Sequence, residues 1–180
     1  RLDSPKEVER SMEACGARTN FQLAYQAHDD RPLQEAYGDL LTRVMQKGYP
    51  LDEPVAARTQ ARSRIRGGYI SSFFWRHTVG KLFGGWVGKV NPERFETCVY
   101  YLGHKVDELT EDLRRRSDHF FQCTSSLQAV IDRIRADAPD VLVYPEIGMN
   151  PMVMQLAALR LAPVQCMAWG HPVTSGTGIA

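Results

Sequence analysis

The chain has no long hydrophobic run, and this absence excludes a class of protein at the outset. None of its apolar stretches approaches the ~18 residues that a membrane-spanning helix needs, and no segment has the pattern of a secretory signal peptide. An excess of positive charge is missing too, since the formal net charge is +1. A balance this even gives no overall attraction to nucleic acid or to a membrane surface, so we expect neither as a partner.

Cysteine is scarce, and its four copies lie far apart in the chain. No two of them have the spacing of a metal site or of a redox motif. The histidines lack an i, i+4 pair and a carboxylate at ligand spacing, so the sequence predicts no metal centre. Buried, reduced thiols are the plain interpretation, and they indicate a cytoplasmic protein.

Two catalytic signatures are also missing. The glycines of "GGYISSFF" precede the core of the first predicted strand instead of opening a helix after it, which argues against a dinucleotide cofactor. No nucleophile elbow surrounds the serines and threonines, which argues against a covalent hydrolase. The remaining composition, with 43% hydrophobic and 24% charged residues, is that of an ordinary globular protein.

The first part of the chain predicts helices. "SPKEVERSMEACG" contains a capping box at Ser4 and Glu7, and "DDRPLQEAYGDLLTRVMQKGYP" predicts a second helix that begins after Asp30. The apolar stripe of the second helix consists of Leu33, Tyr37, Leu40, Leu41, Val44 and Met45. From residue 51 to 64 the periodicity is lost, and we predict a helical linker segment over residues 1–64.

From Ile65 onward, strands and helices alternate. The runs "IRGGYISSFF", "RFETCVYYLG", "HFFQC", "VLVYPEI" and "PVQCMAW" predict five strands with helical segments between them. Between the first two strands we expect a helix broken by Gly80, Gly84 and Gly85. The alternation is typical of an α/β protein with a doubly wound parallel sheet, so residues 65–180 are predicted to form a Rossmann-like domain.

The loops that follow the strands carry the candidate functional residues, because ligands of open α/β sheets bind beyond the carboxyl ends of the strands. His77, after the first strand, is a candidate general base or hydrogen-bonding partner of a substrate oxygen, unless it is structural. Glu146, after "VLVY", either caps the next turn or faces a ligand. Asp132 lies on an amphipathic helix, where a solvated carboxylate is the plain interpretation.

The last strand leads into the glycine-rich loop "GHPVTSGTG". Glycine allows a backbone to approach a ligand closely, and the hydroxyls of Thr174 and Ser175 can donate hydrogen bonds to a sugar or an anion. His171 stands between a glycine and a proline that fix its backbone. From the residues alone, the loop is expected to form one wall of a polar cleft.

Three long stretches of the chain resemble a known family. They are "FQLAYQAHDDRPLQEAYGDLLTRVM", "RGGYISSFFWRHTVGKLF" and "DVLVYPEIGMNPMVMQLAALRLAPVQCMAWGHPVTSG". They look like the bacterial SPINDLY-type O-GlcNAc transferases, which follow tetratricopeptide repeats, and the resemblance runs from about Asn20 to the end of the chain. It implies the first of the two Rossmann-like domains of a GT-B glycosyltransferase, preceded by a helical linker.

The resemblance also implies a reaction and a set of residues. The reaction is inverting transfer of a sugar from a nucleotide sugar, typically UDP-GlcNAc, to a Ser or Thr hydroxyl of a protein acceptor, without a metal or other cofactor. His77 matches an active-site histidine that has been proposed as a base, and Asp132 matches an acidic position proposed to assist it. The residues that match the family's loop beside the donor sugar are Gly170, His171, Pro172 and Thr174.

The chain departs from the family pattern in two ways. Thr78 replaces the proline of the family's His-Pro motif, and Lys81 replaces its second histidine. The family's nucleotide-binding lysine and most of its uridine contacts belong to a second domain, which would begin after Ala180. We therefore expect a fragment that alone transfers no sugar and binds nucleotide weakly, and a complete protein that adds the repeats and the second domain.

Other functions stay open. A non-catalytic binding module with the same fold would serve as a scaffold, and Thr78 and Lys81 favour it slightly, whereas His77 and the intact "GHPVTSG" loop argue against it. A relative that uses GDP-fucose or UDP-glucose as donor, or asparagine as acceptor, has no distinguishing feature in this sequence.

Overall fold

The computed structural model describes residues 2–51 and 62–178, and they divide into two compact units. The described residues of the first unit are 2–51, Glu146–Arg160 and 167–178, and those of the second are 62–145 and Leu161–Cys166. Most of the segment from 51 to 64, where the sequence loses its periodicity, lies outside the described residues. The division of the chain at residues 64 and 65 stays a prediction.

Helices and strands alternate through most of the chain. The helices are α1 (Pro5–Ala14), α2 (Arg31–Gly48), α3 (Thr78–Gly88), α4 (Glu108–Arg116), α5 (Leu127–Asp137) and α6 (Pro151–Ala157). The strands are β1 (Ile65–Ser71), β2 (Phe95–Tyr101), β3 (His119–Gln122), β4 (Val141–Tyr144) and β5 (Val164–Met167). A short 3-10 helix at Phe21–Tyr25 separates α1 from α2.

The start of α1 forms as the sequence predicts. The Ser4 hydroxyl accepts a hydrogen bond from the Glu7 amide at 3.3 Å, and the Glu7 carboxylate accepts one from the Ser4 amide at 3.0 Å. These reciprocal bonds satisfy two amide groups that have no partner within the helix. The predicted capping box is therefore confirmed.

The buried face of α2 differs from the predicted apolar stripe. Leu33 and Leu40 are exposed, whereas Gln34 and Gly38 are buried, together with the last three residues of the stripe. Leu33 and Leu40, two members of the predicted apolar stripe, therefore do not belong to the buried face. The physical reason is that α2 buries an amide and a glycine, which an analysis of hydrophobic periodicity does not count.

The sheet has five strands in the order β3-β2-β1-β4-β5. β1 pairs in parallel with both β2 and β4, and β2 pairs in parallel with β3. The chain order therefore reverses between β1 and β4, which makes the carboxyl ends of these two strands the switch point of the sheet. Ligands of open α/β sheets bind at such a point.

Helices cover both faces of the sheet. Tyr101 belongs to one buried cluster with Val87 of α3 and Leu113 of α4. Tyr100 points to the opposite face, because successive side chains of a strand alternate, and its hydroxyl donates a hydrogen bond to Asp137 of α5 at 2.9 Å. The expected doubly wound parallel α/β sheet is confirmed.

α3 continues through its glycines without a break, so the prediction of a broken helix is wrong. A Cβ atom at Gly80 would collide with the carbonyl oxygen of Trp75, and one at Gly84 would lie 3.4 Å from the side chain of Leu113. Gly80 therefore allows α3 to pack closely against the preceding loop, whereas a side chain at Gly84 would make an ordinary contact. Sequence periodicity shows the glycine but not the atom beside it, which is why it suggested a break.

Candidate functional site

His77 caps the N-terminus of α3, just beyond the carboxyl end of β1. Its Nδ1 accepts a hydrogen bond from the Val79 amide at 3.3 Å. The ring lies beside Phe73 and Trp75, with centroid distances of 4.5 Å and 5.2 Å. The structure thus gives His77 a local structural role and also leaves part of its ring available.

The protonation of His77 follows from this cap. Because Nδ1 accepts a hydrogen bond, the neutral ring carries its proton on Nε2. Within the described part of the chain, no group forms a hydrogen bond with Nε2. Burial, and secondly the charge of Lys105, lower the pKa of His77 below its ordinary value, so the ring is neutral near pH 7. In this tautomer His77 offers a hydrogen-bond donor, not the lone pair of a general base.

The loop that carries His77 is fastened to the N-terminus of α4. The amide of Arg76 donates a hydrogen bond to the carboxylate of Asp107 at 2.7 Å, and the hydroxyl of Thr110 donates one to the carbonyl of Phe74 at 2.8 Å. Burial acts to raise the pKa of Asp107, but hydrogen bonds from Arg76, Thr110 and Leu109 outweigh burial and lower that pKa. These bonds hold the backbone before His77 in one position.

Lys105 is a candidate that the sequence analysis missed. Its Nζ lies 3.9 Å from the centroid of the Trp75 ring, next to His77, and no carboxylate of residues 2–51 or 62–178 forms an ion pair with it. An exposed cation over an indole gains about 0.5–1 kcal/mol. The only sequence signal is a lysine in the loop after β2, and nothing local links that loop to Trp75.

Asp132 lies on the exposed face of α5. Its carboxylate accepts a hydrogen bond from the side chain of Gln128 at 2.7 Å. The described residues show no hydrogen bond between Asp132 and His77, although both belong to the second unit. The arrangement agrees with a solvated helix carboxylate, and a role in catalysis stays a prediction.

The other candidate residues, Glu146 and the loop from Gly170 to Gly178, belong to the first unit and are described there. Glu146 has no exposed surface, so its predicted contact with a ligand stays a prediction. In the loop, the buried residues are His171, Val173, Ser175 and Thr177. Pro172 and Thr174 between them are exposed, and Gly170 is half-exposed. The loop is therefore anchored along one side and open along the other.

His171 is the most enclosed polar group of this anchored side, with 4% of its surface exposed. Its Nε2 lies 3.1 Å from the hydroxyl of Thr19, and its Nδ1 lies 3.4 Å from the backbone of Val173. The ring packs edge-on against Phe21, and Gly148, with φ of +109°, is so close that a Cβ there would lie 3.1 Å from the ring. Burial lowers the pKa of His171, although the hydrogen bond with Val173 acts to raise it.

An open cavity of about 740 Å³ lies between the loop and α2. Its lining residues are Arg31, Glu35, Asp39, Thr174, Gly176, Thr177 and Gly178. Arg31 and Glu35 form an ion pair of 2.7 Å with each other. This volume lies within the range of ligand pockets. The sequence pattern of α2 predicts a helix of a linker segment and gives no sign that its polar residues lie at this cavity.

Possible metal ligands, membrane-spanning helices and a run of arginines are three further features of the described residues that bear on function. In the ranges that the structure describes, no three His, Cys, Asp or Glu side chains are grouped so that they could hold a metal ion. No described helix has both the length and the apolar character to cross a membrane. Arg114, Arg115 and Arg116 pair with Glu111 and Asp112 of their own helix, so this run of charge is a solvated helix face.

Two curated proteins and a solved structure resemble the chain. The probable UDP-N-acetylglucosamine–peptide N-acetylglucosaminyltransferase SEC of Arabidopsis thaliana is 28% identical over 130 residues, which are 71% of this chain and 13% of that protein. The UDP-N-acetylglucosamine–peptide N-acetylglucosaminyltransferase of Caenorhabditis elegans is 28% identical over 120 residues, 65% of this chain and 10% of that protein. A mutant of the Thermobaculum terrenum O-GlcNAc transferase has a TM-score of 0.68 at 22% identity, which shows the fold.

The chain spans only part of each of these proteins. The match to the Thermobaculum structure includes 98% of this chain but 33% of that one. Membership of a family does not depend on that share. The model of glycosyl transferase family 41 matches residues 42–179, which are most of the chain. The sequence similarity to the two curated proteins and the similar fold of the solved structure agree with this match. The chain belongs to glycosyl transferase family 41.

Proposed function

We propose that this chain is part of an inverting protein O-glycosyltransferase that moves GlcNAc from UDP-GlcNAc to Ser or Thr residues of proteins. The family match supports a glycosyltransferase, and the names of both curated relatives support this donor and a peptide acceptor. The observation that carries the proposal is His77, a neutral ring beside the switch point of the sheet with an unused Nε2–H. A ring held in this way is suited to contact a substrate oxygen.

In this proposal His77 acts as a hydrogen-bond donor. Inverting transfer requires that the acceptor hydroxyl be held in line with the sugar and that developing charge be stabilised. An Nε2–H contributes to both by donating to a substrate oxygen. Removing a proton would require the other tautomer, which breaks the hydrogen bond from the Val79 amide. In this step the acceptor oxygen forms a bond to the anomeric carbon while the bond from that carbon to the diphosphate breaks. UDP leaves with the electron pair and takes up the hydroxyl proton, so the step uses no metal and no other cofactor.

The loop of the first unit is proposed to contact the donor sugar. Gly170, Pro172 and Thr174 have accessible surface, so they are the contacting residues in this proposal. His171 is enclosed, so we assign it the role of holding the loop. Glu146 is proposed as a further substrate-binding residue of the same unit, and its side chain is fully buried in this structure. Asp132 is proposed to assist catalysis only in the presence of substrate, since its carboxylate is bound to Gln128 here.

The proposal places the chain within a longer protein. Residues 1–64 are proposed to link tetratricopeptide repeats to a first Rossmann-like domain at 65–180, and a second domain of the GT-B type completes the site. Residues 1–180 alone are then expected to bind UDP weakly, because the second domain supplies most nucleotide contacts. Titration calorimetry of UDP into the 180-residue chain tests this expectation, and a micromolar dissociation constant contradicts it.

A cytoplasmic location is part of the same proposal. All four cysteines are free, and Cys15 and Cys98 are buried as predicted. Cys123 is half-buried and Cys166 is exposed, so the prediction of buried thiols is wrong for Cys166. Burial raises the pKa of Cys98 to about 12, so its thiol stays protonated and unreactive. Free thiols of this kind persist in a reducing compartment. Fractionation of cells that produce the natural protein measures the location directly.

The experiment that tests the function uses the longest natural chain that contains these residues and a second domain. UDP-GlcNAc, UDP-glucose and GDP-fucose are offered in parallel with a protein acceptor pool, and release of the nucleoside diphosphate is measured. Acceptor-dependent release from UDP-GlcNAc alone is the expected result. Release from another donor would correct the sugar, and mass spectrometry of the product would show whether Ser, Thr or Asn is modified.

Absence of release from every donor by a folded protein would contradict the enzyme and favour the scaffold alternative. One observation weakens that alternative in advance. Thr78 stands at the first residue of α3, where it follows the cap without interrupting the helix. The replacement of the family's proline therefore leaves His77, whose backbone is extended, as the N-cap of an unbroken helix.

A further inference from the structure

The hydroxyl of Thr19 joins the helical N-terminal segment to the loop that carries His171. Thr19 Oγ1 lies 3.1 Å from Nε2 of His171, and it also accepts a hydrogen bond from the Phe21 amide at 3.2 Å. A hydroxyl that already accepts one bond is free to donate its own proton. We therefore assign the direction Thr19 to His171, which places the ring proton of His171 on Nδ1.

The second nitrogen of His171 completes this chain of hydrogen bonds. With its proton on Nδ1, the ring donates to the carbonyl of Val173 at 3.4 Å, whereas in the other tautomer Nδ1 would accept from the Val173 amide at the same distance. The assignment of the tautomer therefore rests on the Thr19 hydroxyl and not on Val173. The bond is long, and in water it would contribute little. His171 is 4% exposed, however, and a buried polar group that loses its hydrogen-bond partner destabilises the fold. Both nitrogens are thus committed to holding the loop.

The backbone of the loop also lies directly on α2. A Cβ at Gly176, which has φ of +68°, would collide with the carbonyl of Gln34, and a Cβ at Gly38 would collide with the carbonyl of Gly176. The Gln34 side chain is buried and accepts a hydrogen bond from Asn20 at 3.1 Å. The segment from 19 to 38 therefore touches the loop at two places, the His171 ring and the Gly176 backbone.

We propose that Thr19 is a positioning residue for the donor-sugar loop, acting through His171. The inference rests on the proposed function, in which Pro172 and Thr174 contact the donor. Buried and exposed side chains alternate from His171 to Thr174, so the buried His171 fixes the position of Pro172 beside it and, through Val173, that of Thr174. Loss of the Thr19 hydroxyl leaves Nε2 of a buried ring without a partner, and the loop shifts or loosens in response.

The first test reads the His171 ring without any need for activity. In the protein labelled with ¹⁵N, long-range ¹H–¹⁵N spectra report which ring nitrogen carries the proton. The wild type is expected to show the Nδ1–H form. Thr19→Val keeps the shape of the side chain but cannot donate, and it is expected to change the ring shifts and the amide shifts of Val173 and Thr174. Thr19→Ser is expected to restore them.

Unchanged spectra in Thr19→Val, or a wild-type ring with its proton on Nε2, would overturn the proposal. A Thr19→Val protein that fails to fold is recognised from its whole spectrum. The serine variant then decides the matter, because it keeps the hydroxyl: wild-type shifts in Thr19→Ser support the proposal, and perturbed shifts at His171 overturn it.

The second test uses the longer natural chain and separates binding from turnover. Thr19→Val is expected to raise KM for the nucleotide sugar about two- to tenfold, the scale of one hydrogen bond, with a smaller change in KM for the acceptor. Thr19→Ser is expected to stay near wild type. Leu33→Ala serves as a matched control, because Leu33 belongs to the same helical segment but is 64% exposed.

An equal effect of Thr19→Val on both KM values, or none on either, would overturn positioning of the donor loop. If the wild type transfers no sugar, the proposed function fails instead. The spectra of His171 then still decide whether Thr19 holds the loop, so the two failures are distinguishable.

Discussion

His77 and His171 occupy comparable places in the chain but have different surroundings. Each follows a strand, and burial is the first cause that lowers the pKa of each. His77 uses one nitrogen to cap α3, and its other nitrogen has no partner among the described residues. His171 has both nitrogens within hydrogen-bonding distance of its own unit. His77 therefore has a ring nitrogen available to contact a ligand, whereas both ring nitrogens of His171 hold the loop.

The backbone explains why the two loops differ. After β1 a short loop leads into α3, so His77 stands at a helix N-terminus, where one ring nitrogen replaces a missing backbone acceptor. After β5 the chain continues without a helix to Gly178, and alternate side chains turn inward. The loop of His77 is held by a helix cap, whereas the loop after β5 is held by buried side chains at alternate positions.

Replacement of His77 is expected to have the largest effect on activity. His77→Asn keeps a good N-cap residue but removes the Nε2–H, so the transfer rate should fall about a hundredfold or more while stability is kept. His77→Ala removes both and should also lower the free energy of unfolding by about 1 kcal/mol. Rates and urea unfolding of the two variants measure these effects. An asparagine variant with a rate within threefold of wild type would make His77 purely structural.

Gly148 tests the enclosure of His171. Gly148→Ala places a methyl group 3.1 Å from the ring at a backbone φ of +109°, and should destabilise the protein by about 1–3 kcal/mol. Gly178→Ala is the control, because a Cβ there meets no atom within 4 Å. Urea unfolding of both variants gives the comparison. Equal stabilities would show that His171 has room to move.

Asp107 tests how firmly the His77 loop is held. Asp107→Ala removes a cap that also accepts the Arg76 amide, and should cost about 0.5–2 kcal/mol. Because the folded pKa of Asp107 is lowered, its contribution is present above the unfolded pKa and is lost as pH falls through the folded pKa. Asp107→Asn should therefore remove this part of the acid dependence. Unfolding curves measured between pH 7 and pH 3 reveal whether wild type and variant converge.

Much of the fold was predictable because it depends on local patterns. The alternation of strands and helices and the capping box at Ser4 are local, and both are confirmed. The buried face of α2 and the unbroken α3 were not predictable, because the atoms beside Gly38 and Gly80 belong to other segments. They are the backbone of Gly176 beside Gly38, and the carbonyl of Trp75 and the side chain of Leu109 beside Gly80. Periodicity cannot report a neighbour that another segment supplies.

The candidate site was also predictable only where the signal is local in sequence. The sequence marked His77 and His171, since a histidine in a loop after a strand is a visible signal. It could not distinguish them, because the partners that do so, the Val79 amide and the Thr19 hydroxyl, become visible only when the backbone is folded. Lys105 was missed for the same reason, since its partner Trp75 lies on another loop. Tertiary contacts assign the roles that motifs only suggest.

The smallest expected effect is electrostatic and separates the two histidines most directly. Lys105 adds to the lowering of the His77 pKa but is not among the causes at His171. Lys105→Met should therefore raise the pKa of His77 towards its ordinary value while burial still holds it below, and should leave the pKa of His171 unchanged. NMR titration of both rings in one sample measures this, so each variant carries its own control. A parallel shift of both rings would mean that the substitution acts through the fold and not through the charge of Lys105.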